Sequence, residues 1–151
     1  MVFPPSKAMA LALDEARAAA MRGEVPVGAV ITDAAGQVLA SAGNRTREDH
    51  DPTAHAEVLA IRAACAALGS ERLIGCTLTV TLEPCAMCAA AIAGARVARL
   101  VYGASDPKSG GVEQGARVFA HAQAHHRPEV VAGVAEAESA ALLKAFFSDR
   151  R

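Results

Sequence analysis

Thr77-Leu78-Thr79-Val80-Thr81-Leu82-Glu83-Pro84-Cys85-Ala86-Met87-Cys88 contains the transition that decides the fold. Residues 77–82 are apolar and partly β-branched, and read as a strand. Pro84 suits the first turn of a helix, where its missing N–H is not needed, and that helix ends near Gly94. A further apolar strand is expected at 97–102. Strand, helix, strand is a crossover unit, and it sets two strands parallel in one sheet. Cys85 and Cys88 stand at i and i+3, on one face of the helix. Both fall in its first turn, where free N–H groups and the helix dipole favour thiolate.

Upstream, Asp51 or Thr53 is expected to cap a helix that reaches Leu68 and stops at Gly69, with His55 in its first turn. Residues 43–52 are polar and loop-like. Val27 to Thr32 and Val38 to Ala42 read as an antiparallel hairpin joined by Asp33-Ala34-Ala35-Gly36. Ser6 is expected to cap a first helix that runs to about Arg22 and ends at Gly23. Downstream come a glycine-rich loop from Gly103 to Gly115, a short helix over 116–120 and a weak fifth strand over 130–132. A last helix over 136–149 carries Leu142, Leu143, Phe146 and Phe147 on its apolar side. The expectation is one α/β domain spanning residues 1–151.

Bulk properties narrow the function. A chain of 151 residues with 52% hydrophobic content can bury a real core and is not disordered. Aromatics are only 3%, so alanine-rich helices with small contact faces must do much of the packing. A net charge of −1 is not the strongly basic balance of a nucleic-acid binder and counts mildly against an RNA substrate. The longest apolar run, residues 86–95, is roughly half a membrane span. Asp14, Glu15 and Arg17 interrupt what could otherwise pass for a signal peptide. Four cysteines make no obvious disulfide framework, and a reducing cytoplasm is expected.

His55, Cys85 and Cys88 are zinc-ligand types, with the histidine 30 residues before the first cysteine. Three N/S ligands leave the fourth tetrahedral position for water, as in a catalytic site. Glu57 follows two residues after His55. Helix residues rotate by ~100° each, so the two point apart, and Glu57 reads as a proton carrier reaching past the metal, not as a ligand. A redox dithiol at Cys85 and Cys88 would leave His55-Ala56-Glu57 unexplained. A structural zinc would need a fourth ligand, and His50, His121, His125 and His126 have no ligand-like spacing to the other three. Cys65 and Cys76 read as small buried residues.

The H-x-E…P-C-x-x-C pattern resembles that of zinc-dependent nucleobase deaminases, in which zinc activates a water and a glutamate moves protons. Further stretches narrow the resemblance. They are Glu24-Val25-Pro26-Val27-Gly28-Ala29, Gly43-Asn44-Arg45, Asp51-Pro52-Thr53-Ala54-His55-Ala56-Glu57, Val101-Tyr102-Gly103-Ala104 and Asp106-Pro107-Lys108. With these the chain resembles the bacterial tRNA-specific adenosine deaminases of the cytidine deaminase-like superfamily over nearly its whole length. That resemblance implies a three-layer α/β/α fold with a five-stranded mixed sheet, one zinc ion (Zn2+) per chain and a cytoplasmic homodimer. It implies hydrolytic deamination of adenosine to inosine at the tRNA wobble position, with each anticodon loop contacting both subunits. Glu57 would be the catalytic residue. Asn44 would hydrogen-bond the flipped base, the backbone of Ala56 and of Pro84-Cys85 would line the pocket, and Val27 and Ala29 would touch the substrate. Lys108, Arg150 and Arg151 would meet phosphates, with Arg45 and Arg47 near the pocket mouth.

The zinc pattern does not select the base. Guanine and cytosine deaminases carry a very similar core, so a free-base or nucleoside deaminase is the alternative, and the net charge is its best support. A zinc-stabilised binding module without chemistry would have no need of Glu57. Residues 110–128, with His121, His125, His126 and Arg127, diverge from the best-known members and read as a solvated loop.

Overall fold

Side chains alternate along the strands, and this assigns each helix to a face of the sheet. The computed structural model describes residues 5–150, with side chains from residue 7 onward. In chain order the elements are α1 (Pro5–Met21), β1 (Gly28–Thr32), β2 (Val38–Gly43), α2 (Ala56–Leu68) and β3 (Thr77–Leu82). There follow α3 (Ala86–Gly94), β4 (Arg99–Ala104), a 3-10 turn (Val118–Ala120), β5 (Glu129–Val131) and α4 (Glu136–Ser148). The strands form one mixed sheet in the order β2-β1-β3-β4-β5. β1 is antiparallel to both β2 and β3, whereas β3–β4 and β4–β5 are parallel. All strands but β1 therefore run the same way, and α2 and α3 both leave the sheet at one edge.

Ala29 and Ile31 of β1, Leu78 and Val80 of β3, and Leu100 and Tyr102 of β4 share the main core with Ala56, Ala60 and Ala64 of α2 and Ala89 and Ile92 of α3. Val30 and Val101 point the other way, to Met9, Ala12 and Leu13 of α1 and Leu142 of α4. Helices thus cover both faces, giving the expected three layers. α1 lies directly on the backbone of β1, since a Cβ on Gly28 would stand 1.9 Å from the Ala12 carbonyl oxygen and 2.7 Å from the Ala16 nitrogen. Among the described residues, no helix is long and apolar enough to cross a membrane.

Boundaries differ from the sequence expectation where local hydrogen bonds decide them. Ser6 lies inside α1 and does not precede it. α2 starts only at Ala56. Asp51 does not cap it, because its Oδ1 accepts the Thr53 N–H at 2.8 Å and the Thr53 hydroxyl at 2.7 Å in a local turn. β4 begins two residues late, since the Ala98 and Arg99 N–H groups both donate to the Cys76 carbonyl, at 2.9 and 3.3 Å. On α4, Phe146 is buried but Phe147 is 51% exposed, so the apolar side is narrower than read.

Gly28→Ala should cost about 3 kcal/mol, the upper end for overpacking, because main-chain atoms of α1 block the new methyl and cannot rotate away. Urea unfolding of the two proteins measures it. An unchanged midpoint would mean that α1 can lift off β1 freely.

Candidate metal centre and active site

His55 and Cys85 are the N-cap residues of α2 and α3, both extended, with φ −76° and ψ 151° for His55 and φ −71° and ψ 174° for Cys85. This corrects the expectation that both lie in first turns, and it places Pro84 before the cap. The correction matters for aim. A residue outside the helix is not bound by the helical rotation, so His55 and Glu57 face one cavity although they are two apart. His55 Nδ1 lies 3.7 Å from Cys85 Sγ and 3.4 Å from Cys88 Sγ. The three ligand atoms are all within 4.8 Å of one another. A tetrahedral zinc with Zn–N ~2.0 Å and Zn–S ~2.3 Å needs N···S separations of about 3.5 Å. These residues fit that ion, and no fourth ligand joins the group among the described residues. His121 Nδ1 instead accepts the Gln123 N–H, and His126 Nε2 sits 2.6 Å from the Val97 carbonyl oxygen.

Electrostatics at the site follow from burial and sharing. Hydrogen bonds from Cys88 and then His55 push the Cys85 thiol down to about 4. Cys88 is pushed up, being the donor in that pair and buried. The bond to Cys85 raises His55. Glu57 is 4% exposed, and burial raises its carboxyl to about 7. A carboxyl near neutrality can both take and give a proton.

The cavity holds about 210 Å3, and its walls include Val27, Asn44, His55, Glu57, Cys85 and Ser109. A larger hollow of about 360 Å3 lies at the other end of the sheet, beside Thr77 and Arg99, away from the ligand group. Asn44 Oδ1 accepts the Ala56 N–H at 2.8 Å, which leaves the amide NH2 for a ligand. Three expected substrate contacts are not on the wall. Ala29 is fully buried in the main core. The Ala56 N–H is taken by Asn44. The Pro84 carbonyl accepts the Gly111 N–H at 2.8 Å. Lys108 is exposed between Asp106 and Ser109, both of which line the cavity. Thr46, another wall residue, lies between Arg45 and Arg47. Arg150 is not on the wall, and its guanidinium stacks 3.6 Å from the centroid of the Phe146 ring. Arg151 lies outside the described residues.

Two acidic residues that sequence reasoning passed over build the rim. Glu24, 1% exposed, accepts the N–H groups of Arg47 and Glu48 at 3.2 and 2.9 Å. Glu83, 2% exposed, accepts those of Asp106, Val112, Glu113 and Gln114 at 2.9–3.1 Å. Gly110 is needed beside it, since a Cβ there would lie 2.6 Å from Glu83 Cδ. The available signal was an acid next to proline-bearing apolar sequence, in Glu24-Val25-Pro26 and Glu83-Pro84.

A three-ligand zinc group at the helix ends of a three-layer α/β/α sheet, with a buried carboxylate beside it, defines the class of hydrolytic zinc deaminases. The family described as cytidine and deoxycytidylate deaminase zinc-binding region matches residues 4–104. A tRNA-specific adenosine deaminase of Agrobacterium fabrum (strain C58) is 59% identical over 95% of this chain and 93% of its own. A solved structure from a study of A-to-I editing by tRNA:A34 deaminases at the wobble position of transfer RNA is 60% identical. It superposes with a TM-score of 0.88, covering 90% of this chain and 98% of that one. A guanine deaminase from Nitrosomonas europaea superposes at 0.79 with 25% identity, covering 98% and 87%. The chain belongs to the cytidine deaminase family and, within it, to the tRNA-specific adenosine deaminases.

Glu83 generates a prediction. Burial alone would raise its carboxyl, but the N–H groups of Asp106, Gln114, Glu113 and Val112 overcome this and hold it below the usual carboxylate range. A depressed folded-state pKa stabilises the fold above the unfolded value of ~4.3, and that stabilisation is lost as pH falls through the lower folded value. Glu83→Gln should cost about 2–3 kcal/mol at neutral pH, with a smaller gap to the parent at a pH below ~4.3. Urea unfolding at both pH values checks it, and an equal cost at both would remove the charge from the account.

Proposed function

We propose that the protein deaminates adenosine to inosine at the tRNA wobble position, holding one zinc ion per chain through His55 Nδ1, Cys85 Sγ and Cys88 Sγ. The observation that carries the reading is the Glu57 carboxylate, buried beside the ligand group and opening on the same small cavity. Zinc in this group supplies a Lewis acid that makes water nucleophilic near neutral pH. Glu57 accepts a proton from the attacking water and passes it to the ring nitrogen beside the amine-bearing carbon. Glu57 then takes the second proton, from the hydroxyl newly bonded to that carbon as it becomes a carbonyl, and gives it to the departing amine. One water enters, one ammonia leaves, and the base becomes hypoxanthine.

The cavity of about 210 Å3 is below the ~300–1,000 Å3 of sites for larger ligands, and suits one base turned out of its strand. Val27 and the Asn44 amide form its substrate wall. The anticodon loop then runs over the rim, past Arg45, Arg47 and Lys108. α3 has no charged residue, yet it leaves Ala86, Met87, Ala90 and Gly94 exposed. A helix apolar all round calls for cover on its outer side, and a second copy of the chain supplies it in a homodimer. The cytoplasm suits both tRNA and the free thiols of all four cysteines.

Incubating purified protein with tRNA that carries adenosine at the wobble position should yield inosine after nuclease digestion and mass spectrometry. Rapid turnover of free guanine or cytosine with none on tRNA would replace this reading by a free-base deaminase. Glu57→Ala should lower turnover by at least ~10²–10⁴-fold while keeping its zinc. Cys88→Ala should lose the metal, and full zinc in that variant by elemental analysis would refute the ligand assignment.

A further inference from the structure

Arg117 has no part in the reaction proposed above, yet the fold holds it in a strained place. Its φ of 47° lies in the left-handed region, which favours glycine over residues with a Cβ. The backbone is tied on both sides. Arg117 N–H donates to the Gln114 carbonyl at 3.2 Å, Val118 N–H to the Gly111 carbonyl at 2.8 Å, and Gly111 N–H to the Pro84 carbonyl at 2.8 Å. Phe119, buried in the main core, anchors the turn, and the turn packs against α3. Two hydrogen bonds therefore connect the residue after Arg117 to the residue before the ligand Cys85.

The side chain itself is unspent. It is exposed and makes no ion pair or hydrogen bond among the described residues. Of the cations beside the cavity, Lys108 likewise makes no side-chain bond among the described residues, whereas two arginines are engaged. Arg45 pairs with Glu48 at 2.6 Å, and Arg47 reaches the Gly23 carbonyl at 3.4 Å. Residues 114–128 contain Arg117, Arg127 and three histidines, and no acid lies between Glu113 and Glu129.

We propose that Arg117 is a phosphate-binding residue, which presents its guanidinium to the RNA backbone leaving the base cavity on the α3 side. This rests on the tRNA reading above. A guanidinium matches two phosphate oxygens with a fixed fork, and the tied backbone supplies the fixed base that such a contact needs.

Arg117→Gly tests it, because glycine removes the charge and relieves the backbone at once. Folding, followed by thermal unfolding, and zinc content should be kept. On tRNA with a wobble adenosine, the slope of log affinity against log salt should fall by ~0.7, and binding at ~0.15 M salt should weaken about fourfold. Arg117→Lys should restore most of the slope. Arg72→Ala, an exposed cation at the far end of the sheet, should leave it unchanged. If the parent binds with a clear salt slope and Arg117→Gly keeps it, the assignment of Arg117 is overturned and the tRNA reading stands. If the parent itself binds tRNA without salt dependence, both are overturned.

Discussion

The metal centre depends on two helices beginning at the same place. β1 is the one strand that runs against the others, so β2 and β3 leave the sheet at a common edge and α2 and α3 start side by side. Their cap residues are His55 and Cys85. Both caps are extended, and with helical Cys88 they bring His55 Nδ1 to 3.7 Å from Cys85 Sγ and 3.4 Å from Cys88 Sγ. The same edge supplies two helix N-termini, whose unpaired N–H groups favour thiolate and carboxylate nearby. Ligand geometry, electrostatics and topology are thus one fact seen at three scales.

The rim around that centre is held in another way. Loops cannot bury backbone N–H groups without partners, and the stretches flanking the cavity have little apolar side chain to spare. Two buried carboxylates take this role. Glu24 gathers the loop that brings Thr46 to the wall, and Glu83 gathers the loop that brings Asp106 and Ser109. Such loops are stiff because their amides converge on a charge. The mouth of the cavity thereby has a fixed shape while remaining polar on its outer side, where an RNA strand would pass.

Much of this was legible beforehand. Strands, helices and their order follow from hydrophobic period and turn residues, as with Thr77–Leu82 and the left-handed Gly69 at the end of α2. The ligand group follows from residue type and spacing. What was not legible is the position of caps. Asp51 is a good capping residue that closes a local turn with Thr53 instead, and only the competition between the two bonds decides it. Ala29, Ala56 and Pro84 were expected at the pocket from resemblance, but Ala29 lies within the main core and hydrogen bonds occupy the Ala56 N–H and the Pro84 carbonyl. Glu24 and Glu83 escaped notice because a carboxylate serving backbone amides has no spacing rule.

Tyr102 is the one tyrosine in a chain without tryptophan. It is 2% exposed on β4, and its hydroxyl donates to Glu113 Oε1 at 2.5 Å. Glu113 belongs to the loop that Glu83 gathers beside the cavity. Beyond the weak bands of the four phenylalanines, the near-ultraviolet absorbance and emission of the native protein therefore come from one phenol, and that phenol is hydrogen-bonded to the active-site rim. An unlabelled protein carries its own optical probe of whether that loop is seated, free of overlap from any other indole or phenol.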